Sequence, residues 1–258
     1  VGYSAGLSVT TGVNHVLIGG LAGDALTAAN NNIAIGVLAL SADTLGGRNV
    51  AIGSAALEAQ NFTTSTSSYN VGVGHGTGGA LTTGIQNVLI GGLAGDALTD
   101  ADLNVAIGME ALTSDTLGSR STAVGYNALA VQNFTTATNT YNTAVGFQAG
   151  AAVTTAVNNT LIGALAGDAL TTGNENVAVG FEALSTEDGH GGNVALGSAA
   201  LKTQNAGTTA FNTGLGYNAG LSVTTGSQNT LVGGLAGDAL TTGGQNVAVG
   251  YDALGAET

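Results

Sequence analysis

The chain has 258 residues, 44 of them glycine, with no proline, cysteine or tryptophan and a formal net charge of −13 from sixteen acidic and three lysine or arginine residues. Arg48, Arg120 and Lys202 are the whole lysine and arginine inventory, too few to neutralise a phosphate backbone or hold an anionic lipid surface, so no nucleic-acid partner is expected. Without cysteine there is no disulfide or thiol chemistry, and no apolar run approaches the roughly 18 residues of a membrane span, so no direct membrane insertion is expected either.

Taken in order, the chain repeats one short pattern. Asn32-Ile33-Ala34-Ile35-Gly36 returns as Asn49-Val50-Ala51-Ile52-Gly53, Asn104-Val105-Ala106-Ile107-Gly108, Asn142-Thr143-Ala144-Val145-Gly146 and Asn246-Val247-Ala248-Val249-Gly250. With the last glycine as marker, units begin at Gly2, Gly19, Gly36 and Gly53 and continue to Gly250 in steps of 17, with one longer step of 21, 21 and finally 19 closing each group of four. Four units make a block, giving blocks at about 2–73, 74–145 and 146–215 and a partial block at 216–258. A period this short predicts stacked coils rather than a globule. The glycines show no period of three, which excludes collagen.

Each column of the unit has a physical reading. Asn stands four residues before the marker in twelve of fourteen units, His15 and Ser121 being the exceptions. A β-branched residue, a small residue or Leu, and an aliphatic residue follow, which predicts a three-residue strand between two turns. The marker glycine predicts a corner with positive φ or a close backbone approach. Stacked asparagines predict a hydrogen-bonded ladder along the corner, with a ligand-binding row as the alternative. The Val/Ile columns, Val145 among them, are expected to form the core. The alanine three past the marker is expected where coils or chains touch.

Within a block the units differ. The second carries Asp24, Asp96, Asp168 or Asp238; the third has an acidic turn, Asp43 to Arg48, Asp115 to Arg120, and Glu187-Asp188 without an arginine. The fourth is the long coil, whose extra residues are expected to bulge outward. Six aromatic residues follow a marker directly (Tyr3, Tyr126, Phe147, Phe181, Tyr217 and Tyr251) and are read as packing beside the corner. The other five, Phe62, Tyr69, Phe134, Tyr141 and Phe211, belong to the long coils and are the candidate surface-contact residues, because loops carry recognition.

Tests for chemistry find no catalytic, cofactor-binding or metal residue. Gly19 to Thr27 differs by one position from the calcium-binding nonapeptide of β-rolls, but the motif recurs once per block and one carboxylate supplies too few oxygens. Calcium therefore stays an alternative, dependent on several chains bringing these residues together. His15, His75 and His190 fall in unrelated columns, against a zinc site. Gly72 to Gly76 is glycine-rich without the Lys-Ser/Thr of a phosphate loop. No Ser, His and Asp share a register, so no enzyme is expected. The Thr pairs, such as Thr10-Thr11 and Thr82-Thr83, are read as turn caps, with an ice-binding hydroxyl array as the alternative.

Asn-[Val/Thr]-Ala-[Ile/Val]-Gly followed by Ala three later resembles the head repeat of trimeric autotransporter adhesins of the YadA type. The longer Thr-Thr-Gly-x-x-Asn-Thr-[Ala/Leu]-[Ile/Val]-Gly looks like repeats of phage and phage-like tail fibres. The resemblance covers essentially the whole chain. It implies a left-handed parallel β-roll with three chains side by side, in an extracellular, cell-surface or virion fibre. Units here are longer than the adhesin head's, so the coil is wider or has an extra corner.

The combined expectation is an all-β parallel β-roll or β-solenoid of about fifteen coils of 17–21 residues, one repeat domain over 1–258, rising roughly 70 Å at the inter-strand spacing. It is expected to be a homotrimeric segment of a longer fibre with structural and adhesive function. Its partners would be a cell-surface receptor, a glycan or other fibre modules, met along the long coils at 58–69, 131–141 and 202–211.

Overall fold

The computed structural model describes residues 1–255. The chain forms two compact units, one of Val1–Tyr126 with Asn133–Asn139, the other of Asn127–Gln132 with the chain from Thr140 onward. In the first unit, strands Val16–Ile18, Ile33–Ile35, Val50–Ile52, Val71–Val73, Val88–Ile90, Val105–Ile107 and Thr122–Val124 pair in that order, all parallel and residue opposite residue. In the second, Thr143–Val145, Thr160–Ile162, Val177–Val179, Val194–Leu196, Thr213–Leu215, Thr230–Val232 and Val247–Val249 do the same. The architecture is an all-β parallel solenoid of about fourteen turns, with no helix among the described residues. The first marker, Gly2, has no strand ahead of it.

The corners explain why the strands stop at three residues. Gly36 has φ +136, and a Cβ there would lie 2.3 Å from the Gly53 carbonyl oxygen of the next coil, so both reasons for glycine apply at once. Past the marker the backbone turns left-handed even at large residues, as at Leu40 with φ 53. That conformation costs about 1–2 kcal/mol. Full burial of the Leu40 side chain contributes about 1.5–3 kcal/mol and offsets it.

The core lies on the opposite face from the one expected. Residues i and i+2 of a strand share a face, and here the middle residue alone points inward. Ala34, Ala51, Leu89 and Ala106 in the first unit, and Ala144, Leu161, Ala178 and Leu231 in the second, are fully buried. The flanking β-branched residues, Val145 included, are half-buried or exposed. The Val/Ile columns are therefore the outer face of each sheet, because a coil this narrow admits one inward residue per pass. Volumes inside are matched both within a coil and between coils, where a Cβ at Gly72 would lie 2.9 Å from Leu57 Cγ. Where the middle residue is Leu89, glycine stands at 95, and a Cβ there would meet Leu89 Cδ2 at 2.8 Å. Where the middle residue is Ala106, Leu112 is fully buried four past the marker. The alanines three past the marker, such as Ala22, Ala39 and Ala166, are fully buried inside their own coils.

Two short parallel ladders accompany the long coils of the first unit, Gly46–Gly47 with Thr66–Ser67 and Gly118–Ser119 with Thr138–Asn139. They pair the end of the acidic turn with the extra residues of the next coil. Thr63, Thr64 and Ser65 bulge to solvent beside them.

Candidate functional site

The asparagine column forms a hydrogen-bonded ladder, in which the buried Asn49 Nδ2 is left without a partner. Asn49 N–H donates to Asn32 Oδ1 at 2.9 Å, and Asn32 Nδ2 donates to Gly46 O at 2.8 Å. In the second unit Asn176 N–H donates to Asn159 Oδ1 at 2.9 Å, and Asn159 Nδ2 to Gly173 O at 2.9 Å. His15 substitutes for asparagine by the same logic: its Nδ1 accepts from Asn32 N–H at 3.3 Å, while Nε2 faces Ala29 O at 3.0 Å and carries the proton. These amides are mostly buried and turned along the stack, which is the ladder geometry. The first threonine of five of these pairs is likewise a cap, Thr10 Oγ1 donating to Thr27 O at 3.2 Å and Thr82 Oγ1 to Thr99 O at 3.1 Å, with Thr154, Thr171 and Thr224 alike.

The acidic turns are structural centres that the sequence shows only as charge. Asp43 is fully buried. Its Oδ1 accepts from Gly46 N–H and Phe62 N–H, both at 3.0 Å, and its Oδ2 from Gln60 Nε2 at 2.7 Å. Burial pushes the Asp43 carboxyl above its ordinary value of 3.8, while the hydrogen bonds from Phe62, Gln60, Gly46 and Thr44 act the other way. Asp115 repeats the pattern with Gly118 N–H and Phe134 N–H. Asp-x-x-Gly followed one coil later by Gln-Asn-Phe is the signal that could have revealed it.

These turns decide the fate of two candidate residues. Phe62 and Phe134 are drawn inward, 6% and 7% exposed, because their backbone N–H groups are bonded to buried carboxylates. They are core residues and offer no contact surface, which corrects the expectation for both. Tyr69, Tyr141 and Phe211 remain 49%, 55% and 61% exposed. The rings after the marker glycines also reverse their expected role. All six, from Tyr126 at 42% to Tyr3 at 81%, are exposed, since the corner turns that position away from the coil interior.

Among the described residues one group of three could hold a metal: Glu187, Asp188 and His190, with potential ligand atoms within 4.8 Å of one another. Glu187 is already committed, Oε1 accepting from His190 N–H at 3.1 Å and Oε2 from Gln204 Nε2 at 3.2 Å. It is the third-block counterpart of Asp43. In the calcium-like series, one buried carboxylate oxygen of Asp24, Asp168 and Asp238 lacks a hydrogen-bond partner, whereas Asp96 accepts from Thr113 Oγ1 at 2.5 Å. Within each unit two members stand four coils apart, about 19 Å, and so share no ion. Burial raises Asp168 above its ordinary value, and nearby Glu182 adds to the effect against Lys202.

No family model, curated protein or solved structure matches the chain.

Proposed function

We propose that the chain is a structural and adhesive segment of a homotrimeric extracellular fibre, of the surface-adhesin or phage tail-fibre kind that its repeat resembles. One observation carries the reading. The outward strand face is made only of Val, Ile, Leu and Thr, from Val16 to Val124 in the first unit and from Thr143 to Val249 in the second. Ile52, Ile162, Val194, Leu196 and Leu215 are 36–41% exposed on it. In each unit a charge-free face of aliphatic residues and threonine, on a chain this acidic, marks a surface that another protein covers. A second and third copy are the natural cover, because identical coils present the same face at the same rise.

In this reading the sheet faces join the three chains, and the exposed rings and long coils look outward as repeated weak contacts. Threefold presentation multiplies such contacts without new chemistry. No catalytic step is part of the reading. No helix among the described residues is long and apolar enough to cross a membrane. Light-scattering mass tests the proposal: three times the 24.7 kDa chain mass is expected, and a stable monomer would sink it.

Two observations favour other extracellular roles. In the second unit, Thr143, Thr160, Thr213 and Thr230 on the outward strand face suit ice binding, which thermal hysteresis would reveal in a monomer. The partnerless oxygens of Asp24, Asp168 and Asp238 suit calcium stiffening, which chelation would expose as a loss of stability.

A further inference from the structure

The corner position just before the asparagine column reads Asn31, Arg48, Tyr69 in the first block, Leu103, Arg120, Tyr141 in the second and Glu175, Gly192, Phe211 in the third. All nine residues are left-handed, with φ between 52 and 76, so the backbone is the same and only the side chains change. In the first block the Arg48 guanidinium lies over the Tyr69 ring, 5.6 Å from its centroid, and Arg48 Nε donates to Ser67 Oγ at 3.1 Å. In the second block Arg120 Nε donates to Asn139 Oδ1 at 3.0 Å. The third block has Gly192 in the arginine column and Phe211 in the column of Tyr69. Thr209 stands two residues before Phe211, as Ser67 does before Tyr69, so a hydroxyl-bearing residue occupies the same column; its Cγ2 lies 3.4 Å from where a Gly192 Cβ would be.

Beside Gly192 is a cavity of about 370 Å³ bounded by Glu175, His190, Gly192, Thr209 and Phe211. The cavity beside Arg48 in the first block is about 210 Å³. Gly192 seats the ring: a Cβ there would lie 2.8 Å from Phe211 Cδ1. The charge of the corner has also reversed. Glu175 brings an exposed carboxylate where the first block has Asn31, exposed Asp188 lies near His190, and no Lys or Arg lines the cavity.

We propose that this cavity binds a guanidinium group from outside, the arginine side chain of a partner protein, in the place that Arg48 fills within the chain. An aromatic face, a hydroxyl acceptor and a carboxylate are the three groups that recognise a planar, always-charged fork of N–H donors. The chain itself shows the first two in use around Arg48, and Glu175 adds the third. The inference deepens the adhesive reading by naming what one long coil recognises. It rests on that reading only for the partner being a protein, and its test does not depend on the number of chains.

The test is a TROSY NMR titration of the full chain with ethylguanidinium chloride and with N-acetyl-arginine amide, using N-acetyl-citrulline amide and cellobiose as neutral controls at constant ionic strength. The guanidinium probes are expected to give saturable shifts at the amides of Gly191, Gly192 and Phe211, and the controls none. Phe211→Ala should weaken the response about tenfold and Glu175→Gln about fivefold. Gly192→Arg should abolish it, the new side chain displacing the Phe211 ring and filling the site from within. No saturable shift, an equal response to citrulline, a response to cellobiose instead, or undiminished binding by Phe211→Ala would each overturn the proposal. A monomer that binds guanidinium would sink the trimer and leave this site standing; a trimer that does not bind would do the reverse.

Discussion

Gln60 Nε2 donates a 2.7 Å hydrogen bond to Asp43 Oδ2 from one coil to the next, and neither side chain is exposed to solvent. The amide cannot turn freely, because Gln60 Oε1 accepts from Asn70 Nδ2 at 2.9 Å. Three polar side chains thus hold the entrance of the long coil in a fixed order of donors and acceptors. Asp43→Asn would set an amide donor against Gln60 Nε2. We expect a loss of about 1–3 kcal/mol in urea unfolding at neutral pH; an unchanged midpoint would show that the two coils are not locked by this contact.

The same residue sets a pH dependence. Burial holds Asp43 and Asp168 above the ordinary 3.8, so the folded chain binds these protons more tightly than the unfolded one. Their contribution is fully present below the ordinary value and is lost as pH rises through the folded values. Thermal midpoints should therefore fall between pH 4 and neutrality, and less steeply in Asp43→Asn than in the parent. A parent whose midpoint rises over that range would contradict the assignment.

The placement of the core separates two substitutions of similar appearance. Leu89 is fully buried, and Leu89→Ala should cost about 2–5 kcal/mol. Val145 lies on the outer strand face, so Val145→Asp should leave the fold of the single chain standing and weaken its association instead. Equal thermal destabilisation by the two would return the Val/Ile columns to the core.

Two glycines should likewise part company. Gly163 has φ +130, and a Cβ there would meet the Gly180 carbonyl oxygen at 2.4 Å. Gly163→Ala should cost more than about 2 kcal/mol. Gly92 has open space around the same atom, and Gly92→Ala should change stability by less than about 0.5 kcal/mol. Thermal unfolding of the pair checks the corner geometry directly.

The ladder makes a further demand. Asn142 Nδ2 donates to Ala156 O at 2.7 Å and to Gln132 Oε1 at 2.9 Å, and its Oδ1 accepts from Asn159 N–H at 3.0 Å. Asn142→Ala would remove the side-chain partner of the Ala156 carbonyl and of the buried Asn159 N–H, a loss of at least about 2 kcal/mol. Hydrogen exchange at Asn159 should accelerate in that variant; unchanged protection would mean that the backbone ladder holds the corner alone.

What was legible in the sequence was whatever repeats. The marker glycines located the corners, the Asn column its ladder and the β-branched triplets the strands, because each column meets the same environment in every coil. What failed was orientation. A three-residue strand has too little alternation to say which side faces in, so neither the outward position of Val145 nor the exposure of the rings after the markers follows from the sequence. The fate of Phe62 and Phe134 was hidden for another reason: their burial depends on Asp43 and Asp115 one coil earlier, a contact of long sequence separation that composition alone does not show. The Phe211 cavity was visible only as a missing arginine, which acquires meaning once Arg48 is seen lying on Tyr69.

The central claim is that the outward aliphatic columns are covered by other copies of the chain. Light-scattering mass of the parent beside the Val105→Lys/Ile107→Lys variant, each checked for the same far-UV circular dichroism, tests it most directly. The account predicts three times 24.7 kDa for the parent and a folded species of single-chain mass for the variant. A monomeric parent, or a variant that remains trimeric, would contradict it.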